Sequence, residues 1–147
     1  MAESSDKAPL KQVGVLVVTH GEFGQALLGA AQLILGPQQG ILAVSVLVTR
    51  GVEDILAELK SSLAKLEMGL GVLILTDLFG GTPTTLSLSL LKAGNIEVVS
   101  GVNLPMLIKS LQGRSLPLAE LAQQAKEAGQ KGIVVPGEML RKKTGGN

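Results

Sequence analysis

The sequence has 147 residues, enough for one hydrophobic core and short of two comfortable domains. Hydrophobic residues make up 46% and charged residues 17%, a balance that excludes a disordered chain. Thirteen basic against twelve acidic residues leave a net charge of +1, with no general pull toward nucleic acid or an anionic membrane, and the lack of cysteine excludes disulfides, thiolate nucleophiles and Cys-ligated zinc.

Met1 to Leu10 reads as a solvated tail without the apolar region of a secretory signal. No stretch approaches the roughly 20 apolar residues that span a bilayer, so no membrane insertion is expected and a cytoplasmic location is the default. Lys11 to Thr19 is predicted as the first strand. Its run Val13-Gly14-Val15-Leu16-Val17-Val18 is short, β-branched and apolar on both faces, as in a strand buried within a parallel sheet. It stops at Thr19-His20-Gly21, and His20 is the only histidine in the chain. From Gly24 to Leu35, Ala26, Leu27, Ala30, Ala31, Ile34 and Leu35 form a helical stripe that Gly36-Pro37 ends.

Ile41 to Val48 is the second predicted strand. A helix opening at Val52 keeps Ile55, Leu56, Leu59, Leu63 and Leu66 on one face and ends at Gly69-Leu70-Gly71. Val72 to Thr76 is the third strand, apolar on both faces, followed by Asp77-Leu78-Phe79-Gly80-Gly81-Thr82-Pro83 and a helix through Leu91. Ile96 to Ser100 is the fourth strand. Gly101-Val102-Asn103-Leu104-Pro105 leads into a short helix, and Leu116-Pro117 starts another through Ala128. Gly132 to Val135 reads as a short fifth strand, and the basic, Gly-rich end from Arg141 to Asn147 reads as frayed. The expected organisation is a tail at 1–10, one domain at 11–136 and a second tail at 137–147.

Strands alternating with helices predict an α/β fold: a mostly parallel open sheet in flavodoxin-like order 2-1-3-4, with helices on both faces. In such sheets ligands bind beyond the carboxyl ends of the strands, here strands 1 and 3, which carry His20 and Asp77. An imidazole can serve as nucleophile or base near neutral pH. A carboxylate bonded to one ring nitrogen fixes the tautomer and turns the other nitrogen outward as a free lone pair. Gly80 and Gly81 allow close backbone approach, and the helix start at Thr82-Pro83 offers N–H groups and a hydroxyl to an anion. Nucleophile, orienting acid and anion cradle suit a phosphoryl group carried on histidine. Taken singly, each part has a plain reading: an incidental histidine, a helix N-cap at Asp77, a turn at Gly80-Gly81. No P-loop or dinucleotide fingerprint is present, and imidazole- or thiolate-based metal sites lack ligands, so no metal and no cofactor are expected.

Three motifs together resemble a known family, the IIA component of the mannose/fructose/sorbose class of the bacterial phosphoenolpyruvate-dependent sugar phosphotransferase system. They are Thr19-His20-Gly21, Asp77-Leu78-Phe79-Gly80-Gly81-Thr82-Pro83 and Gly101-Val102-Asn103-Leu104-Pro105-Met106-Leu107, and the resemblance runs from about Val13 to Val135. It implies a phosphocarrier: His20 takes a phosphoryl group on Nε2 from the histidine phosphocarrier protein HPr and passes it to a IIB component. Asp77 would hold Nδ1–H, and Thr82 would touch the phosphoryl group beside the backbone of Leu78, Gly80 and Gly81. It also implies a homodimer in which a C-terminal strand, here Gly132 to Val135, is antiparallel and exchanged between subunits.

Two features depart from the family pattern. Leu78 stands where some members carry a hydroxyl, and Thr84-Thr85 replaces the usual continuation after the proline. Phe23 and Phe79, the only aromatics, flank the two site loops, and with Asn103 they are candidate partner-docking residues. An alternative reading is a regulatory module, in which phosphorylated His20 signals to a protein partner and takes no part in sugar uptake.

Overall fold

A computed structural model describes residues 10–145, so the residues 1–9 and 146–147 of the two expected tails lie outside the described residues. Four strands, β1 (Gln12–His20), β2 (Ile41–Val46), β3 (Gly69–Thr76) and β4 (Ile96–Ser100), form one sheet in the order β2-β1-β3-β4, every neighbouring pair parallel. Six helices lie among the described residues: α1 (Phe23–Leu35), α2 (Val52–Leu66), α3 (Thr82–Leu88), α4 (Leu104–Gln112), α5 (Leu118–Lys131) and α6 (Pro136–Thr144). The predicted strand order and the alternation of strands with helices are thus present.

Side chains alternate across the pleat with a period of two, which explains why β1 and β3 must be apolar throughout. Val13, Val15, Val17, Leu73 and Leu75 point into a core built with Ala31 of α1, Met106, Leu107 and Leu111 of α4, and Leu118, Leu121 and Ala125 of α5. Leu16, Val18, Val72 and Ile74 point into the opposite core with Ile55, Leu59, Leu63 and Leu66 of α2 and Leu86 of α3. Leu16, Leu73, Ile74 and Leu75 are fully buried, and each such side chain contributes about 1.5–3 kcal/mol by leaving water. Gly14 is required by close packing, since a Cβ there would stand only 2.3 Å from the Leu66 carbonyl oxygen at the end of α2, a clash with main chain.

The amino edge of the sheet is tied by Arg114, a buried guanidinium between α4 and α5. Its Nε donates to the Val13 carbonyl at 2.8 Å, and its terminal nitrogens donate to the carbonyls of Gln39 and of Gly40, the latter at 3.2 Å. The Val13 N–H returns a bond to the Arg114 carbonyl at 2.8 Å. Burial lowers the guanidinium pKa below its ordinary value.

Two expectations are corrected, and a third, the antiparallel strand at Gly132 to Val135, is not shown. Gly132 to Val135 forms no strand in the described chain. Gly132 closes α5, residues 133–135 have no regular structure, and Ile133 is 77% exposed. A β-branched run of this length reads as a strand, but a strand exists only where an edge pairs with it. The outer edge of β4 has no neighbour here. The tail expected from residue 137, with its frayed end from Arg141, is helical as far as Thr144, because Pro136 opens α6 and Arg141, Lys142 and Lys143 suit its last turn. The helix after Thr82 stops at Leu88 and gives way to a short 3-10 turn over Leu91–Ala93.

Candidate functional site

The parallel pairing of Val18 with Thr76 carries the two strand ends forward side by side, so His20 and Asp77 meet at the carboxyl edge of the sheet. His20 Nδ1 lies 2.9 Å from Asp77 Oδ2, and the same oxygen accepts the His20 backbone N–H at 2.9 Å. The imidazole is half exposed at 51%, whereas the carboxylate shows only 13% of its side chain. Burial would raise the Asp77 pKa. Its hydrogen bonds from the His20 backbone and ring, and the ring's charge, outweigh that and hold the carboxyl below 3.8. An ionised carboxylate only accepts, so Nδ1 carries the proton and Nε2 presents its lone pair. The other oxygen, Asp77 Oδ1, is buried with no hydrogen-bond partner among the described residues.

Local chemistry places both groups. Gly21 takes φ +54° directly after His20, which turns the chain off β1, and its N–H is held by the Val46 carbonyl at 3.0 Å. Thr19, fully buried, accepts the Gly24 N–H on Oγ1 at 2.8 Å and so anchors the start of α1. On the other side, Gly80 adopts φ +86° and Gly81 donates its N–H to the Leu78 carbonyl at 3.3 Å. Gly81 sits against the ring: a Cβ there would stand 2.9 Å from His20 Cε1 and 3.4 Å from Nε2. The backbone N–H groups of Leu78, Phe79, Gly80 and Thr82 make no hydrogen bond to another described residue. They front α3, where Thr82 is exposed and Pro83 needs no N–H partner.

His20, Asp77 and Gly81 are therefore in one place, with Leu78, Gly80 and Thr82 on the adjoining loop. Leu78 at 60% and Phe79 at 80% are exposed there, and Phe23, half exposed, opens α1. Asn103 is engaged inside the fold: its Oδ1 accepts the Met106 N–H at 3.0 Å as the cap of α4, and its Nδ2 donates to the Gly129 carbonyl at 2.9 Å. That leaves its amide committed to joining α4 and α5, a role its place ahead of Leu104-Pro105 announces as an N-cap. Thr84 also belongs beside the site, and no local pattern marks it, because its hydroxyl partners Thr76 and Ser100 sit on other elements. Among the described residues no group of three or more His, Cys, Asp or Glu could hold a metal. A groove of about 550 Å³ between β4 and α5 includes neither His20 nor Asp77, and the imidazole is half exposed to solvent.

The family model of EIIA-man, described as the PTS system fructose IIA component, matches residues 14–127. The chain belongs to this family of IIA components. It is 32% identical over 124 residues to the mannose-specific EIIAB component of Escherichia coli K12, a match that covers 82% of this chain and 38% of that protein. The chain thus spans well under half the length of that relative. To the fructose-specific EIIA component of Bacillus subtilis it is 30% identical over 132 residues, covering 88% of this chain and 90% of that one. Among solved structures, the phosphotransferase component EIIA of Streptococcus agalactiae superposes with a TM-score of 0.78 at 27% identity, over 86% of this chain and 98% of the other. The mannose/sorbose-specific IIA subunit of Enterococcus faecalis gives 0.77 at 26%, over 84% and 94%. No helix of the described IIA chain is long and apolar enough to cross a membrane.

Proposed function

We propose that this IIA component carries a phosphoryl group on His20, taking it from phospho-HPr and giving it to a IIB component. The observation that carries this reading is the pairing of Nδ1 with Asp77 at 2.9 Å, which leaves Nε2 outward as the nucleophile. In the forward step the Nε2 lone pair forms the new N–P bond as the donor's N–P bond breaks. The bonding pair stays on the donor imidazole. Transfer to the acceptor runs the same displacement with the roles exchanged. Phosphorylation leaves the His20 ring cationic while Nδ1 keeps its proton, and the Asp77 carboxylate offsets that charge. The free N–H groups of the 78–82 loop and the Thr82 hydroxyl receive the phosphoryl oxygens.

An exposed nucleophile fits a protein donor better than a small substrate, which a closed pocket would enclose. Phe23, Leu78 and Phe79 supply an apolar rim for that donor. Both partners act in the cytoplasm in this reading. The free edge of β4, a neighbouring groove of about 550 Å³ and the exposed Ile133-Val134-Val135 support a homodimer in which this segment adds an antiparallel strand to the other subunit's β4.

The test is incubation with enzyme I, HPr and phosphoenolpyruvate followed by mass spectrometry. Wild-type protein gains one acid-labile phosphate and His20→Ala gains none. A wild-type protein that stays unmodified refutes the carrier role. Onward transfer to a matched IIB component refutes a purely regulatory one.

A further inference from the structure

Three hydroxyls from three elements meet beneath the loop that carries Asp77: Thr76 ends β3, Ser100 ends β4 and Thr84 lies in the first turn of α3. Thr84 Oγ1 is 2.7 Å from Thr76 Oγ1, 2.7 Å from the Leu78 carbonyl oxygen and 3.3 Å from Ser100 Oγ. A hydroxyl has one proton to give and two lone pairs to offer. The Leu78 carbonyl can only accept, so the Thr84 proton goes to it, and the Thr76 and Ser100 hydroxyls must donate to Thr84. The direction of the chain is fixed by this count, and Thr84, 2% exposed, is fully satisfied.

The Leu78 carbonyl also closes the turn by accepting the Gly81 N–H at 3.3 Å, so the Thr84 contact is the shorter of its two bonds. No peptide here is cis. In a trans peptide the N–H points opposite to the preceding C=O. Drawing the Leu78 carbonyl down onto the hydroxyls therefore turns the Phe79 N–H away from them. The same turn holds Gly81 against the His20 ring and directly follows Asp77.

We propose that Thr84 is the positioning residue of the phosphate loop: its hydroxyl, aimed by Thr76 and Ser100, sets the Leu78 peptide and through it the seating of Gly81 beside the reactive imidazole. It touches neither His20 nor the phosphoryl group. The proposal rests on the carrier reading above and goes beyond it, because a valine of the same shape would fill the site equally well if Thr84 only packed.

Thr84→Val and Thr84→Ser are compared with wild type in stopped-flow phosphorylation by phospho-HPr and in amide hydrogen exchange of Gly81. The valine variant is expected to lose about tenfold in rate at saturating donor, the effect of one buried hydrogen bond, with the donor KM little changed. Its Gly81 N–H exchanges faster. The serine variant restores both. Wild-type rate and exchange in the valine variant, or a serine variant as slow as valine, overturn the proposal. If the valine variant does not fold, Thr84→Cys, with its weakly donating thiol, must fall between wild type and the fully deficient rate. A wild-type protein that accepts no phosphate refutes the carrier role instead, and the Gly81 exchange still decides whether Thr84 sets the loop.

Discussion

Replacing Asp77 by asparagine separates the two things the carboxylate does. Asp77 Oδ2 accepts the His20 backbone N–H and Nδ1–H together, each at 2.9 Å. An amide could turn its own N–H toward the ring and favour the wrong tautomer. The backbone N–H forbids this, because it demands an acceptor at that point. The asparagine oxygen therefore takes the Oδ2 place, and its nitrogen takes the buried Oδ1 place, which has no partner among the described residues in wild type. Geometry and tautomer survive, and the negative charge is lost. Hydrogen bonds to charged groups are worth about 1.5–3 kcal/mol against about 0.5–1.5 kcal/mol for neutral ones. The midpoints differ by about 1.3 kcal/mol, which corresponds to just under tenfold in rate. Asp77→Ala removes both bonds as well as the charge, so it is expected to be slower than asparagine by at least a further factor of about ten. Stopped-flow phosphorylation by phospho-HPr reads both numbers. Wild-type speed in Asp77→Asn removes the carboxylate charge from the mechanism, and equal rates for asparagine and alanine mean that tautomer choice governs after all.

The Asp77 carboxyl is held below its unfolded value, so its contribution to stability is present above pH of about 4 and is lost as pH falls through the folded pKa. Denaturant titrations should accordingly show the gap between wild type and Asp77→Asn narrowing from pH 6 to pH 3; a gap that widens contradicts the assignment. Gly81→Ala places a methyl 2.9 Å from His20 Cε1, and the half-exposed ring must swing off Asp77. Slower phosphorylation with a nearly unchanged melting temperature is the expected result, and an unchanged rate would show that the ring has room. Arg114→Met leaves the carbonyls of Val13, Gln39 and Gly40 without their buried donor, a loss of about 2–4 kcal/mol of unfolding free energy in urea. The phosphorylation rate of the remaining folded protein should stay at the wild-type value, since this staple lies at the opposite edge of the sheet from His20.

The sheet was legible because β1 and β3 are apolar without interruption, a pattern that only a strand covered on both faces can carry. Once β1 and β3 are neighbours, His20 and Asp77 follow from the parallel register with no further information. What escaped depends on partners remote in sequence. Ile133-Val134-Val135 has strand composition but pairs with no edge among the described residues, and pairing cannot be read from composition. Thr84 looks like one more polar helix residue until Thr76, Ser100 and the Leu78 carbonyl arrive around it. The second bond of Asn103, to the Gly129 carbonyl, is equally remote in sequence.

Asp77 clamps the imidazole to the main chain of the very residue that bears it. Such a ring cannot swing out to greet one visitor and then reorient for the next. In the proposed relay, giver and receiver each come to the same solitary nitrogen from the same side, one after the other, and so each excludes the other while it is seated. Traffic through that relay is a single lane, and an excess of either neighbour is expected to slow the flow it sustains.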